Sequence, residues 1–185
     1  YAKYRVSPDK GVLLFAVGDG NHSLATAKAI WEELKTSVGM DHPARYALVE
    51  VENIHDPGLE FEPIHRVLFN NRVNLEQVLK DIFDNALTFE PVNSFAGLKA
   101  KVKHPSAECQ KFGLISERGF SVGRITSPTA NLVIGTLQPI LDRLVTDGSV
   151  NSIDYVHGDD TLFKLGVDPA NAGIYLPAIA KDELF

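Results

Sequence analysis

One cysteine, Cys109, one methionine, Met40, and one tryptophan, Trp31, occur in 185 residues. A lone cysteine cannot close an internal disulfide, so the fold must rest on packing, and a reducing compartment, the cytoplasm, is expected. Long apolar runs are missing too. The longest is the hexamer Val12 to Val17, far short of the roughly 20 residues a spanning helix needs, and no membrane partner is expected. Positive charge is also in deficit, with 18 Lys and Arg against 24 Asp and Glu, a net −6. The densest basic stretch, Lys99, Lys101 and Lys103 with His104, is short and carries no interleaved aromatics, so nucleic acid is not the expected partner. No internal repeat or low-complexity run is present, which argues against solenoids and tails.

What remains is an ordinary globular composition, 44% apolar and 23% charged. A chain of this length buries roughly 70% of its unfolded surface and needs no metal to hold a core. The expectation is one domain over residues 1–185, with a sub-lobe boundary near 70–74 or 127–129. Because the sole methionine is Met40 and the chain opens at Tyr1, the sequence reads as an internal piece of a longer protein.

Short apolar strands alternate with amphipathic helices, which predicts an α+β (mixed α/β) fold: an opening strand-loop-helix-strand unit, then mixed sheet with helices packed on it. Val12 to Val17 reads as a continuous buried strand. A turn at Gly18 to Asn21 precedes a helix from about His22 to Lys35, with Leu24, Ala27, Trp31, Leu34 and Val38 at helical spacing, and Tyr46 to Val51 reads as a second strand. The crossover between them is long enough for parallel pairing. Pro63 to Phe69 is extended. Asn74, with Gln77 three residues on, has the signature of an N-cap. A strand at Leu87 to Pro91 and a helix at Phe95 to Lys103 follow, then a hairpin around Glu117-Arg118-Gly119. A helix is expected from Thr136 with Pro139 in its first turn, where a missing N–H costs little. Strand Ile153 to His157, helix Asp159 to Leu165 and strand Ala172 to Pro177 complete the pattern.

Chemistry concentrates in Gly18-Asp19-Gly20-Asn21-His22-Ser23, between the opening strand and its helix. Two glycines let the backbone turn sharply and approach a ligand, while a helix start offers free N–H groups and the positive end of the macrodipole. Such a loop favours an anion, above all a phosphate. Gly18, Gly20, Asn21 and Ser23 would hold it, with Asp19 and His22 as the candidate catalytic pair. The loop is not a Walker loop, for the Gly-Lys-Ser/Thr ending is missing, and Gly-x-Gly-x-x-Gly fails at Ser23. The plain alternative is a tight turn with Asp19 or Asn21 capping the helix and His22 as polar surface.

His65 and Arg66 form a second candidate ligand-binding pair, since an arginine fork matches phosphate or carboxylate oxygens. Adjacent residues of a regular strand point to opposite faces, so only one of them can face a given pocket. The alternative is a surface arginine beside a half-buried histidine. The acidic run Glu50, Glu52, His55, Asp56, Glu60 and Glu62 is too loosely spaced for a metal site, and no metal is assigned. His157-Gly158-Asp159-Asp160 reads as a strand end and an acidic first helical turn. Cys109 and Ser106 have no base at recognisable spacing.

Phe15 to Lys28, together with Pro63-x-His65-Arg66 and Asp154-Tyr155-x-His157, resembles the bacterial family catalogued as domain of unknown function 1015. The resemblance runs through nearly the whole chain. Members are roughly twice this long, and many carry Asp-Gly-His-His-Arg where this chain has Asp19-Gly20-Asn21-His22-Ser23. The Asp-Gly-x-His-Arg form is similar to the phosphate motif of the ParB and sulfiredoxin superfamily, which includes free-serine kinases. The resemblance therefore implies a phosphate- or nucleotide-binding small-molecule enzyme, a phosphotransferase using ATP or ADP with magnesium. The partner would be a small-molecule or phosphorylated ligand. A non-catalytic ligand-sensing module and a structural interaction domain are the alternatives.

Overall fold

The structure is a computed structural model that describes residues 5–7, 11–18, 21–102 and 109–179. Contacts divide the chain into two compact units, Tyr1–Glu60 and Phe61–Leu184.

In the first unit β1 (Arg5–Ser7) pairs with β2 (Gly11–Val12), and β3 (Phe15–Val17) pairs with β4 (Val51–Asn53), both antiparallel. Helix α1 (Asn21–Val38) stands between β3 and β4, so the opening strand-loop-helix-strand order is as expected. The pairing sense is not. The connection is long enough for either direction, and Tyr46 to Glu50 carries no regular structure, so pairing begins only at Val51 and runs the opposite way. The apolar hexamer is not a buried strand either. It breaks at Leu13 and Leu14, whose carbonyls accept from His55 Nε2 at 2.7 Å and the Ile54 N–H at 3.2 Å, and Leu14, Phe15 and Val17 are exposed. Leu24, Ala27, Trp31 and Leu34 do form the half-buried stripe of α1, but Val38, at the last turn where no other element covers it, is exposed.

The second unit is built on a six-stranded sheet. Its strands are β5 (Ile64–Phe69), β6 (Leu87–Val92), β7 (Gln110–Ser116), β8 (Gly119–Ile125), β9 (Ser152–His157) and β10 (Ala172–Tyr175), in the order β6-β8-β7-β10-β5-β9. Every pairing is antiparallel, so the mixed sheet that strand-helix alternation suggests is realised without parallel neighbours. The hairpin β7–β8 closes on Glu117-Arg118, with Ser116 opposite Gly119. Positions 70–74 and 127–129 are loops inside this unit.

Helices cover both faces of the sheet. On one face α2 (Leu75–Phe83) and α4 (Val133–Thr146) bring Leu79, Leu137 and Leu141 against Leu68, Phe112, Leu114 and Ile174. On the other, α3 (Phe95–Val102) and α5 (Asp159–Gly166) bring Leu98 and Leu162 against Val67, Ile115 and Val122. Two glycines tune these layers. A Cβ at Gly123 would fall 2.4 Å from Phe112 Cζ, and one at Gly113 would fall 2.3 Å from Leu98 Cδ2. Asn74 caps α2 as its sequence predicts, its side chain accepting from the Gln77 N–H at 3.3 Å. Helix α4 differs from expectation. It begins at Val133, so Pro139 lies in its interior rather than in its first turn. Apolar Val133 and Ile134 extend the buried stripe upstream of Thr136, and their packing outweighs the local cost of proline.

Candidate functional site

The glycine loop is described in part. Asp19 and Gly20 lie outside the described residues. Gly18 continues the β3 backbone, its N–H donating to the Glu50 carbonyl at 3.1 Å. A Cβ on Gly18 would stand 2.8 Å from Glu52 Oε1, because the β3–β4 register sets Glu52 beside Ala16. A carboxylate at this place works against an anion and favours a hydroxyl or a cation at the same loop. Asn21 is the first residue of α1, and His22 and Ser23 follow on its exposed first turn. Among the described residues no group of three His, Cys, Asp or Glu side chains converges as metal ligands would.

His65 and Arg66, by contrast, sit deep in the second unit on β5, and the regular strand sends them to opposite faces. His65 is 1% exposed. Its Nδ1 accepts from the Leu176 N–H at 3.1 Å, which leaves the proton on Nε2, 3.5 Å from Asp159 Oδ1. The ring stacks on Tyr175 at 4.6 Å. Burial pushes the His65 pKa below its ordinary value, and the opposing pull of Asp159 is the smaller effect, so the ring is neutral near pH 7. The other oxygen of Asp159 pairs with Lys99 Nζ at 2.7 Å. The result is a chain of three groups, Lys99, Asp159 and His65, joining α3, α5 and β5. Both nitrogens of His65 are engaged, so near pH 7 it orients Asp159, and taking a proton on Nδ1 would break the hydrogen bond from Leu176.

Arg66 faces α4. It is 8% exposed, and its Nε donates to Gln138 Oε1 at 2.9 Å. Nη1 donates to the carbonyls of Ile64 at 2.6 Å and His65 at 3.3 Å. The guanidinium lies 4.2 Å from the centre of the Tyr155 ring. Gln138 in turn donates from Nε2 to Asp142 Oδ1 at 2.8 Å. Among the described residues no carboxylate reaches Arg66 at ion-pair distance, and Nη2 donates to no protein acceptor yet is not sealed from solvent. Burial lowers the Arg66 pKa, but a guanidinium stays charged.

Desolvating an unpaired cation costs several kcal/mol. Three charge-assisted hydrogen bonds and one ring contact, each worth roughly 1–3 kcal/mol, offset that and hold the fork rigid. What is left is a fixed positive charge with one free donor nitrogen, the arrangement that takes an oxyanion.

The family model described as a protein of unknown function, DUF1015, matches residues 9–145. The chain belongs to the DUF1015 family. No curated protein and no solved structure matches it. Within this DUF1015 chain the matched span holds both the glycine loop and Arg66, while Tyr155 and Asp159 lie downstream of it.

Sequence reasoning singled out His65 and Arg66 but missed their partners. Gln138 and Asp142 are not singled out in the helix expected from Thr136, Tyr155 is named only within the Asp154-Tyr155-x-His157 motif of the family resemblance, and Lys99 reads as part of a weak basic run. The signal for Asp159 was its place just after Gly158 in the first turn of a helix, which by itself accounts for an acidic residue.

Proposed function

We propose that this DUF1015 protein binds an anionic small molecule, a phosphorylated or carboxylated metabolite, with Arg66 as the charge-pairing residue. The observation that carries this reading is a buried arginine, 8% exposed, whose guanidinium is held by Gln138, the Ile64 carbonyl and the Tyr155 ring, with no carboxylate at ion-pair distance among the described residues and Asp142 attracting it only from farther off. Proteins that bury a cation for structural reasons alone almost always pair it. The finer form is a phosphotransferase of the cytoplasm using ATP or ADP with magnesium, acting on a small substrate such as free serine. It draws on the loop sequence, in which backbone N–H groups from Gly20 to Ser23 would hold phosphate, magnesium would offset the Glu52 carboxylate beside Gly18, and Asp19 and His22 would serve the chemistry, and on the similarity of Asp-Gly-x-His-Arg loops to those of the ParB and sulfiredoxin superfamily.

A second reading is a non-catalytic ligand sensor, favoured by His65, whose two nitrogens are both committed to protein groups. Thermal unfolding of the full chain with ATP, ADP, serine and inorganic phosphate, each with magnesium, tests both. Binding at 100 times Kd raises stability by about 2.7 kcal/mol. Arg66→Gln is expected to abolish that gain. Absence of any shift at millimolar ligand rejects the proposal. A shift with no turnover, unchanged in His22→Ala, selects the sensor.

A further inference from the structure

On the face of the sheet opposite Arg66, α3 and α5 meet along a seam made of two pairs of residues four apart. Phe95 and Lys99 share one side of α3, and Asp159 and Phe163 share one side of α5. The pairs match end to end. Lys99 Nζ meets Asp159 Oδ2 at 2.7 Å, and the Phe95 and Phe163 rings stand 5.3 Å apart. Lys99 also lies 5.2 Å from the centre of the Phe95 ring, which ties the polar end of the seam to the aromatic end.

Beneath the polar end stands Tyr175. Its neighbour Ile174 pairs with Arg66, so Tyr175 rises from β10 beside His65, and the two rings stack with 26° between their planes. Stacked rings from neighbouring strands run the same way. The Tyr175 hydroxyl is therefore directed to the side of the Asp159 carboxylate, which His65 Nε2 approaches to 3.5 Å. Tyr175 is 4% exposed, yet among the described residues its hydroxyl has no hydrogen-bond partner, and it is not sealed from solvent. A buried tyrosine ordinarily finds a partner for its O–H, and leaving it unpaired costs stability. Here the partner comes from outside the chain.

We infer that the polar end of this seam binds a neutral polyhydroxyl compound, a cyclic sugar, with Tyr175, Asp159 and Lys99 as its hydrogen-bonding groups. The charges decide the class. Lys99 already occupies the place of a cation against both the carboxylate and the Phe95 ring, and an anion would face Asp159 with Asp160 beside it in the chain. A hydroxyl group is donor and acceptor at once. One ligand hydroxyl accepts from the Tyr175 O–H and donates to a lone pair of Asp159 that His65 and Lys99 leave open; a second accepts from a remaining N–H of Lys99. Burial first, and then the charge of Asp159, pushes the Tyr175 pKa above its ordinary value, so the hydroxyl keeps the proton it donates. Phe163, 39% exposed, offers its ring to the C–H face of the sugar. This site is separate from Arg66 and does not rest on anion binding there.

Titration of the full chain with glucose and with ribose, followed by residue-resolved amide shifts, tests the inference. Saturable shifts centred on Lys99, Asp159, Phe163 and Tyr175 are expected for at least one of the two sugars. Tyr175→Phe removes the hydroxyl and keeps the ring. It should weaken that binding about fivefold, the worth of one hydrogen bond, while its midpoint of unfolding in denaturant is equal to or higher than that of the parent chain. Phe163→Ala, at an exposed position, should weaken the same binding several-fold. Shifts that fail to saturate at tens of millimolar of both sugars overturn the site, as does unchanged affinity in Tyr175→Phe. A lowered midpoint in Tyr175→Phe also overturns it, because the hydroxyl would then have a structural partner. Tighter binding of putrescine or of acetate than of either sugar overturns the assigned ligand class.

Discussion

At His65 the ring has lost nearly all its water, and what it gains in return is a hydrogen bond from the Leu176 N–H, a stacked tyrosine and a carboxylate at 3.5 Å. The desolvation wins, and the folded pKa is depressed below the ordinary value of 6.5. In the unfolded chain His65 titrates near that ordinary value, so between it and the lower folded value the unfolded state holds more protons. Stability is therefore full above pH 6.5 and falls as pH drops toward the folded pKa. Denaturant unfolding between pH 7.5 and 5 should show this loss, and His65→Gln, whose amide oxygen can still accept from Leu176, should flatten it. An unchanged slope in that variant would assign the acid sensitivity to other groups. Arg66, one residue on, keeps its charge at every such pH. The two neighbours thus divide by face: one holds Asp159 in place, the other keeps its charge against Gln138 and the Tyr155 ring.

At the scale of single elements, α4 is the helix whose sequence and structure disagree most. Pro139 sits with Gly135 four residues before it, removing one helical hydrogen bond from an otherwise continuous run from Val133 to Thr146. An interior proline costs about 3 kcal/mol relative to alanine when nothing compensates. The buried stripe of Val133, Leu137, Leu141 and Leu144 supplies the compensation by contact with the sheet. Pro139→Ala should then stabilise the protein by roughly 1–3 kcal/mol, the direction set by the restored N–H. Chemical denaturation reads this directly, and a destabilised variant would mean that the helix depends on a proline-induced bend. The cap of α2 is the contrasting case, where Asn74 and its neighbours agree with the fold at every level.

For the whole molecule, the distribution of buried surface separates the two units. Both large apolar clusters belong to the unit from Phe61 onward. Among the described residues up to Glu60, Ile54 is the one fully buried hydrophobic side chain, and Leu14, Phe15, Ile30, Tyr46 and Leu48 are exposed. Local opening free energy follows buried apolar contact. Limited proteolysis should therefore cut first in the irregular stretch from Asp56 to Pro63 and in Tyr46 to Glu50, leaving a resistant fragment that begins near Ile64. Hydrogen exchange should be slowest in β5, β7 and β10, the central strands buried on both faces. Early cleavage within β7 or β10 would contradict this order of stability.

The α+β class, most helices and strands, the hairpin turn and the Asn74 cap were legible in the sequence because each depends on local periodicity or on contacts a few residues apart. So was the opposition of His65 and Arg66, which follows from the two-residue period of any strand. Strand direction and order were not, since a 33-residue connection between β3 and β4 permits either sense and only non-local hydrogen bonds choose between them. Burial of the Val12 to Val17 run was misjudged for the same reason: an apolar run buries only if other elements come to cover it. The partners of the candidate sites, Gln138 and Tyr155 for Arg66, Asp159 and Lys99 for His65, lie 34 to 94 residues away along the chain. Apart from Tyr155, which the family resemblance sets beside His65 and Arg66, no pattern in the sequence joins them. Residue chemistry nominated the charges, and the antiparallel register with its flanking helices decided which of them stand beside a carboxylate, as His65 does, and which, as Arg66, do not.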